Sequence, residues 1–463
     1  MTEAATLIQR LKGAWRGITG SKSGGLKADL STTSDLDHLR EQMRACLEAR
    51  GGEVSARSRA ATLGQTYLEL DRKGRERFLK VLAEDFGVDD AAVERQLAAV
   101  SKVEPHKRSA AYSTLRHALE PGWNRLLTQF NGLPEGVKFL VDLRADLSRL
   151  TRKNTAFRAL DGDLRQLLTS WFDIGFLELQ RIKWDSPASL LEKLIAYEAV
   201  HEIRSWDDLK NRLDSDRRCF AFFHPRMPDE PLIFVEVALV NGLAGNIQEL
   251  LDEDAPLIDP YDADTAIFYS ISNAQKGLAG ISFGGFLIKR VVDVLQNEFH
   301  GLKTFSTLSP IPGFRAWLDE ALNGEESLIT ESDITALRDV SGLTAESGNP
   351  LQVILSTENW LEDETISAAV EPILMRLCTR YLLNEKELSG RAKDPVAHFH
   401  LTNGALVERL CWKGNTSEVG MSRSYGLMVN YLYKLDKIEE NHESYTGEGK
   451  IKASSNFKRL LKN

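Results

Sequence analysis

The first part of the chain repeats apolar residues with the period of an α-helix. They recur three or four positions apart, beginning with Leu36, Leu39, Met43 and Leu47. Similar spacing continues to about residue 180, and alternating runs rich in Val and Ile are scarce there. The pattern predicts an all-helical N-terminal domain, which we assign to residues 1–182.

Shorter apolar runs mark the second part of the chain. Helices are predicted to begin at Ser186-Pro187 and at Ser205, because a serine precedes each helical stretch and can cap it. Residues 218–223 and 232–240 have the composition of strands, and a proline-containing turn separates them. These two runs predict a β-hairpin.

A β-α-β unit comes next in the predicted order. Its strands cover residues 265–272 and 303–308, and its helix covers residues 286–299. A glycine-rich loop at residues 277–285 connects the first strand to the helix. Ser309-Pro310 ends the second strand, because proline cannot donate to a sheet ladder.

The remaining pattern predicts helices over about residues 314–385, followed by a second hairpin. This hairpin would pair residues 396–401 with residues 406–412 around Asn403-Gly404, a dipeptide that is a strong turn signal. Residues 183–463 therefore form a mixed domain of sheet and helices, and the fold class expected for the chain is α+β.

Composition narrows the classes of function. The chain has 463 residues, a net charge of −9 and a pI near 5.7, which argues against a nucleic-acid-binding protein. No apolar run reaches the ~20 residues of a membrane-spanning helix, so no membrane span is expected. The four cysteines are far apart and form no C-x-x-C pair, so we expect reduced thiols rather than disulfides or a structural zinc site.

The N-terminal stretch leaves two interpretations open. Residues 1–27 are amphipathic, basic and poor in acidic residues, which is typical of an organellar transit peptide. A short surface helix followed by a flexible linker rich in Gly and Ser has the same composition. Because the targeting signal is weak, we expect a cytoplasmic protein.

The glycine-rich loop is a candidate anion site. Backbone N–H groups at the start of the following helix can bind a phosphate or pyrophosphate, and Lys276, Lys289 and Arg290 add positive charge. A tight connection between strand and helix would need the same glycines. The G-x-G-x-x-G spacing of a dinucleotide-binding fold is absent from the loop.

Two histidines and a serine suggest a second site. His398 and His400 lie two positions apart on a predicted strand, so both side chains are expected on one face. They are candidates for metal ligands, for acid–base groups or for core residues, and a third and fourth metal ligand are not evident. Ser309 either presents its hydroxyl to a cleft or only ends its strand, and no G-x-S-x-G motif surrounds it.

Five segments taken together resemble the malonyl-CoA decarboxylase family, in order and in spacing across residues 265–435. They are Phe268-Tyr269-Ser270-Ile271-Ser272, Phe286-Leu287-Ile288-Lys289-Arg290-Val291-Val292, Ser309-Pro310-Ile311-Pro312-Gly313-Phe314, Phe399-His400-Leu401 with Asn403-Gly404, and Gly426-Leu427-Met428 with Asn430-Tyr431 and Tyr433. The resemblance implies a catalytic domain with the GNAT acetyltransferase fold. It also implies that the helical domain mediates assembly into a homo-oligomer, a dimer or a tetramer.

The resemblance further implies the reaction, which converts malonyl-CoA to acetyl-CoA and CO2 through a thioester enolate that is protonated at C2. Ser309 and His400 are implied as the catalytic pair, and Tyr433 as a residue that lines the same site. We expect Ser309 to hold the malonyl carboxylate and His400, titrating near neutral pH, to donate the proton. No cofactor or metal is expected, because the thioester itself delocalises the charge.

Substrate binding is predicted around the glycine-rich loop, which would receive the CoA pyrophosphate. The residues expected to bind substrate are Ser270, Ser272, Gly277, Gly280, Ile281, Ser282, Phe283, Gly284, Lys289 and Arg290. Animal members of the family are expected to carry an acidic residue at the position of Ser282.

Two other functions stay open. A CoA-dependent acetyltransferase would share the fold, would need a site for an amine and would release free CoA. The pairing of Ser309 with His400 argues against it, because direct acyl transfer to an amine needs no serine. A non-catalytic acyl-CoA sensor would bind malonyl-CoA without turnover.

Overall fold

The chain separates into two compact units. The computed structural model describes residue 9, residue 18 and residues 11–15, 26–48, 52–152, 154–172, 174–281, 287–324 and 328–462. The first unit contains Met1–Glu178, Phe223–Leu232 and Gln275–Ser282, and the second contains Leu179–Phe222, Ile233–Ala274 and Phe283–Asn463. Among the described residues, no helix is both long and apolar enough to cross a membrane.

Helices build the first unit, as predicted. They include α1 (Thr33–Leu47), α2 (Gly52–Glu69), α3 (Arg72–Asp85), α4 (Asp90–Lys102), α5 (Arg108–Ala118), α6 (Gly122–Asn131), α7 (Gly136–Ser148) and α8 (Thr155–Trp171). Helix α1 begins with a capping box between Thr32 and Asp35, and it buries Leu39 and Met43, two of the apolar residues that recur at helical spacing. The expectation of a helical N-terminal region is confirmed, but Glu178–Ile182, which the prediction placed inside the all-helical domain, form a strand.

The second unit is built on a mixed sheet. Its strands are β1 (Glu178–Ile182), β2 (Arg217–Phe223), β3 (Ile233–Val240), β4 (Thr265–Asn273), β5 (Thr304–Thr307), β6 (Ser309–Pro310), β7 (Leu406–Cys411) and β8 (Met428–Leu432). They lie in the order β1-β2-β3-β4-β5-β8-β6, and β7 also pairs with β8. The α+β fold class is therefore confirmed.

Helices occupy the connections between these strands and also follow the last of them. They are α9 (Ala188–Tyr197), α10 (Trp206–Arg212), α11 (Ile247–Leu250), α12 (Leu287–Glu298), α13 (Phe314–Leu322), α14 (Glu331–Ser341), α15 (Pro350–Ser356), α16 (Glu364–Asn384), α17 (Pro395–Thr402), α18 (Glu418–Ser424), α19 (Ile438–Glu448) and α20 (Ser455–Arg459). Ser205 caps α10 as predicted, with its hydroxyl accepting from the N–H of Asp208. Helix α9 begins two residues after Ser186, which does not cap it.

Among the central strands, β2 pairs with β3 and β4 with β5 as predicted, and β4 and β5 separate after Thr307. Strands β2 and β3 form the predicted antiparallel hairpin, and β4 and β5 are parallel on either side of α12. The ladder between β4 and β5 ends at the pair Phe268 and Thr307. Beyond it the chain leaves β4, and Ser309 pairs with Val429 of β8 instead. Ser309 thus stands where two neighbouring strands separate.

The predicted second hairpin is wrong, because its first arm is the helix α17. Asp394 caps this helix and Pro395 occupies its first turn, where a missing N–H costs nothing. The helix ends at Thr402 and is followed by Asn403 and by Gly404, whose φ of +79° is left-handed. The N–H of Ala405 donates to the carbonyl of His400 in a Schellman motif. The Asn403-Gly404 signal therefore ends a helix instead of turning a hairpin.

Candidate active site

Ser309 lies where three strands, β5, β6 and β8, meet. Strand β5 contacts β8 through Ser306 and Leu432, and β6 continues along β8 from Ser309. Ser309 is buried. Its side chain lies on the same face as that of Thr307, because residues two apart on extended chain share a face.

His400 reaches the same place from the last turn of α17. On a helix, two positions correspond to about 200° of rotation, so His398 and His400 point to different surroundings. His400 is fully buried, whereas the Nδ1 of His398 lies 2.8 Å from the hydroxyl of Tyr445. The expectation that both histidines face one side is wrong. The candidate metal site with these two histidines as ligands depended on that expectation. Among the described residues, no three His, Cys, Asp or Glu side chains are grouped as metal ligands.

Four side chains form one hydrogen-bonded row, which we call the histidine line: Tyr433, His400, Ser309 and Thr307. The Tyr433 hydroxyl lies 2.8 Å from Nδ1 of His400, and Nε2 of His400 lies 3.1 Å from Oγ of Ser309. The Ser309 hydroxyl donates to Oγ1 of Thr307 at 2.8 Å. The structure therefore brings together the three residues that the sequence singled out as catalytic.

The histidine line carries no charge at neutral pH. Burial lowers the pKa of His400 to about 3 and raises the pKa of Tyr433 well above its ordinary value. The expectation that His400 titrates near neutral pH is therefore wrong, because burial disfavours the charged imidazolium. The ring of Tyr431 stacks on His400 at 4.6 Å between centroids and holds the imidazole plane.

Asp394 connects the elements that carry Ser309 and His400. One of its oxygens accepts from the N–H groups of Val396 and Ala397 at the start of α17. The other accepts from the N–H of Gly313, in the turn after Ser309, at 3.3 Å. Burial raises the pKa of Asp394 to about 6.

Comparison with known proteins identifies the family from both parts of the chain. A model of the malonyl-CoA decarboxylase C-terminal domain matches residues 175–463, and a model of the malonyl-CoA decarboxylase N-terminal domain matches residues 86–172. The chain belongs to the malonyl-CoA decarboxylase family. The resemblance seen in the sequence is thereby confirmed.

Individual members of the malonyl-CoA decarboxylase family match nearly the whole chain. The mitochondrial malonyl-CoA decarboxylase of Rattus norvegicus is 37% identical over 470 residues, covering 96% of this chain and 92% of that protein. The mitochondrial enzyme of Mus musculus is 40% identical over 432 residues, covering 89% and 83%. The crystal structure of malonyl-CoA decarboxylase from Rhodopseudomonas palustris has 43% identity and a TM-score of 0.84, covering 92% of this chain and 99% of that chain.

Ser270 and Ser272, which the family resemblance placed at the substrate, bind a carboxylate of the protein itself. The Ser270 hydroxyl lies 2.8 Å from both oxygens of Glu198, and the Ser272 hydroxyl donates to Glu198 at 3.1 Å. The same carboxylate accepts from the N–H groups of Val200 and His201 at 2.8 and 2.9 Å. The two serines therefore hold the segment after α9, and their contact with substrate stays a prediction.

A buried arginine with two carboxyl groups holds the same segment. We call Asp208, Arg212 and Glu236 the arginine cluster. Arg212 donates to Asp208 at 2.7 Å and to Glu236 at 3.2 Å, and also to the carbonyl oxygens of His201 and Glu202. Burial raises the pKa of Glu236 to about 8. Burial, and then the charge of Arg212, lowers the pKa of His201 to about 3.

Packing accounts for Gly277 and backbone conformation accounts for Gly280. Both glycines belong to the predicted loop and lie in the first unit. A Cβ at Gly277 would overlap the carbonyl oxygen of Val141, and the Gly277 carbonyl accepts from Arg144 at 2.7 Å. Gly280 has a φ of +75°, a conformation that favours glycine. Ile281, the residue after Gly280, is buried. Ser282, Phe283 and Gly284 lie outside the described residues, so a role for this loop in binding CoA stays a prediction.

The predicted basic residues are divided between the two units. Lys276 is exposed in the first unit. Lys289 and Arg290 lie half-buried in the first turn of α12 in the second unit. The Lys289 ammonium lies 3.4 Å from Glu439, and the Arg290 guanidinium lies 5.6 Å from the centre of the Phe222 ring.

Sequence reasoning missed Thr307, Tyr431 and Asp394 as parts of the site. Thr307 could have been identified from the sequence, because it lies two positions before Ser309 on a predicted strand. Asp394 followed by Pro395 is a helix-start signal that the hairpin prediction overrode. Tyr431 was named only within a segment of the family resemblance, and its contact with His400 depends on the position of α17.

Proposed function

We propose that this chain decarboxylates malonyl-CoA to acetyl-CoA and CO2 at the histidine line. One observation carries the proposal: in a member of the malonyl-CoA decarboxylase family, Ser309, His400 and Tyr433 form a continuous hydrogen-bonded row in a buried place. Within this row, the Ser309 hydroxyl and the His400 imidazole meet at the point where β4 and β5 separate.

The chemistry requires hydrogen-bond donors more than a charged group. When the C–C bond to the carboxylate breaks, its electron pair moves into the thioester and forms an enolate, and CO2 leaves. Donors aimed at the developing oxyanion stabilise this transition state. The Ser309 hydroxyl is the proposed donor to the malonyl carboxylate in the bound substrate, and it lies within hydrogen-bond distance of His400.

A neutral His400 is sufficient for the second half of the reaction. A thioester enolate is a far stronger base than an imidazole, so a neutral ring N–H is able to protonate C2. Neutral histidines serve as electrophiles in other enolate-forming enzymes. The proton at C2 is taken from Nε2, while the Tyr433 hydroxyl donates to Nδ1 as negative charge develops on the ring. A proton from solvent then restores the site, which balances the net uptake of one proton per turnover.

The experiment that tests the proposal follows the carboxyl carbon. Malonyl-CoA labelled with ¹³C at its free carboxyl is incubated with the purified protein and a chelator, and CO2 and the CoA species are measured by mass spectrometry. The expected result is one ¹³CO2 for each acetyl-CoA. The same incubation with Ser309→Ala links the activity to the site, and its rate is expected to fall by about 100-fold, because the malonyl carboxylate is no longer held in position.

Other products would support the other functions. Free CoA together with an acetylated amine, in a parallel incubation with acetyl-CoA and a panel of amines, would identify an acetyltransferase. Tight binding of malonyl-CoA that stays intact over hours would identify a sensor. Either result, without ¹³CO2, rejects the decarboxylase proposal.

Lys289 and Arg290 are proposed to bind the phosphates of CoA. They stand half-buried in the first turn of a helix, where backbone N–H groups and the helix dipole also favour anions. The double variant Lys289→Ala, Arg290→Ala should raise KM for malonyl-CoA more than it lowers kcat. An unchanged KM would exclude both residues from phosphate binding.

A homo-oligomer formed through the helical unit is also part of the proposal. Helices α4 and α5 pack against each other but bury no residue, and Leu97 and Tyr112 remain about half exposed on them. Sedimentation equilibrium of the wild type and of Leu97→Asp, Tyr112→Asp tests this, and a monomeric wild type would reject it.

We further propose that the protein is cytoplasmic and needs no cofactor. The unpaired, buried state of Cys46, Cys219, Cys378 and Cys411 fits a reducing compartment. Localisation of the full chain by fractionation tests the first point. Full activity after exhaustive dialysis against chelator tests the second.

A further inference from the structure

Thr307 stands at the end of the histidine line and has two donors on one oxygen. Its Oγ1 accepts the N–H of Tyr431 at 3.1 Å and the hydroxyl of Ser309 at 2.8 Å. The backbone around it is also held, because its carbonyl accepts from the side-chain amide of Asn430. Thr307 is fully buried, so solvent does not compete for these contacts.

The contact with Thr307 decides which way the protons of Ser309, His400 and Tyr433 point. A serine hydroxyl has one hydrogen, and the hydrogen of Ser309 lies toward Thr307. Ser309 must then accept from His400, which requires the hydrogen of the ring on Nε2. Nδ1 is left with a lone pair, and it accepts from the Tyr433 hydroxyl. The hydrogen bonds therefore run in one direction, from Tyr433 through His400 and Ser309 to Thr307.

We propose that Thr307 is a positioning residue that fixes His400 as the Nε2–H tautomer by holding the proton of Ser309. This inference rests on the proposed function for its catalytic meaning, but the tautomer is a property of the protein without substrate. If Thr307 did not accept, the Ser309 hydroxyl would turn to the nearest other acceptor, Nε2 of His400. The ring would then carry its hydrogen on Nδ1, facing Tyr433, and no N–H would face the substrate.

The arrangement also keeps Ser309 ready for substrate. Its hydroxyl rests on a neutral partner in a buried site, so turning it toward a malonyl carboxylate exchanges one hydrogen bond for a stronger, charge-assisted one. Nε2–H stays in place during this rotation, because the oxygen of Ser309 still accepts from it.

The direct test is the tautomer of His400 in the substrate-free protein at pH 7. In protein labelled with ¹⁵N-histidine, long-range ¹H–¹⁵N correlations distinguish Nε2–H from Nδ1–H rings, and the His400 signals are identified by their loss in His400→Asn. We expect Nε2–H in the wild type and in Thr307→Ser, and Nδ1–H in Thr307→Val. Serine keeps the acceptor oxygen, while valine keeps the shape without it.

Kinetics supply the second readout. Thr307→Val should lower kcat for malonyl-CoA by about 10-fold or more, because the proton donor is misoriented, with little change in KM. Thr307→Ser should restore most of kcat. A threonine that merely fills space would make valine the better replacement, so the order of the two variants separates the two roles.

Three results would overturn the proposal. An Nδ1–H ring in the wild type does so even if no variant folds. An unchanged tautomer in Thr307→Val does so whether or not kcat falls, because the loss would then be structural. Wild-type kcat in Thr307→Val does so as well. If the wild type releases no CO2 from malonyl-CoA, the proposed function fails, while the tautomer measurement still decides what Thr307 does.

Discussion

Two buried polar groups in the second unit differ in what they contain. The histidine line consists of uncharged side chains, and each of its contacts joins a hydroxyl to another hydroxyl or to an imidazole nitrogen. The arginine cluster consists of one guanidinium and two carboxyl groups, and it also binds two backbone carbonyls.

The difference indicates what each group does. A row of neutral donors and acceptors is able to shift protons and to re-aim a hydroxyl without moving a buried charge. A cluster of ions is anchored by its own electrostatics, and losing one member leaves the others uncompensated. This difference supports the proposal that the histidine line carries the chemistry, while the arginine cluster places the segment after α9.

The largest effect is expected from His400→Asn, which interrupts the histidine line. The variant should lower kcat by about 10²- to 10⁴-fold, because general acid catalysis contributes that much, and should leave KM within a few-fold. The free energy of unfolding should change little, because asparagine introduces no charge. Steady-state kinetics and urea unfolding measure both quantities.

His398→Asn is the matched control for this prediction. It removes a histidine from the same helix, two positions away, whose side chain is half-buried and contacts Tyr445. Its kcat should stay near that of the wild type. Equal losses of kcat in the two variants would show that the helix, and not the imidazole of His400, is what the reaction needs.

The next effect is expected from Arg212→Met, which breaks the arginine cluster. Removing one partner of a buried ion pair costs about 3–5 kcal/mol in the free energy of unfolding. Asp208 and Glu236 would be left without their cation, and the carbonyls of His201 and Glu202 without a donor. Urea unfolding of the two proteins measures the difference.

Glu236→Gln is the control within the same cluster. Burial raises the pKa of Glu236 to about 8, so replacing its carboxyl by a neutral amide removes little favourable charge and keeps an oxygen for Arg212. Its unfolding free energy should differ from the wild type by less than about 1.5 kcal/mol. A loss equal to that of Arg212→Met would mean that the cluster needs a negative charge on Glu236 as much as it needs Arg212, which would contradict a neutral Glu236.

The smallest effect is a dependence of stability on pH. His201 and His400 have folded-state pKa values of about 3, below their ordinary 6.5, so the unfolded chain binds protons first. Their contribution to the free energy of unfolding is complete above pH 6.5. It is lost as the pH falls below 6.5, by about 1.4 kcal/mol per pH unit for each histidine. Glu236 and Asp394 have folded-state pKa values raised to about 8 and about 6, so they gain stability as the pH falls and offset this loss in the wild type. The difference in unfolding free energy between His400→Asn and the wild type isolates His400, and it should shift in favour of the variant by about 2 kcal/mol between pH 7 and 5. A difference that stays constant over this interval would contradict the burial of the His400 ring.

The strands and helices that carry the site were largely predictable from local pattern. The β-α-β unit around α12 and the β2–β3 hairpin have alternating or amphipathic sequences, and the structure contains both. The α17 segment was mispredicted because Val396-Ala397-His398-Phe399-His400-Leu401 is apolar enough for a strand, and Asn403-Gly404 fits both a hairpin turn and a helix end. Only the neighbouring β7 and β8, which pair with each other, resolve that ambiguity.

Contacts between distant residues were beyond sequence reasoning. Motif resemblance pointed to Ser309, His400 and Tyr433, which the structure brings together across 91 and 33 positions. The same resemblance put Ser270 at the substrate, and its hydroxyl instead contacts Glu198, 72 positions earlier. The low pKa of His400 was equally hidden, because burial depends on every element packed around α17.

The most direct test of the central claim follows C2 of the substrate. The wild-type protein is incubated with malonyl-CoA in deuterated water, and the products are weighed by mass spectrometry. Decarboxylation with protonation at the histidine line predicts acetyl-CoA that carries one deuterium in its methyl group, formed far more slowly by His400→Asn. Malonyl-CoA that remains intact, or acetyl-CoA formed equally fast by both proteins, would contradict the account.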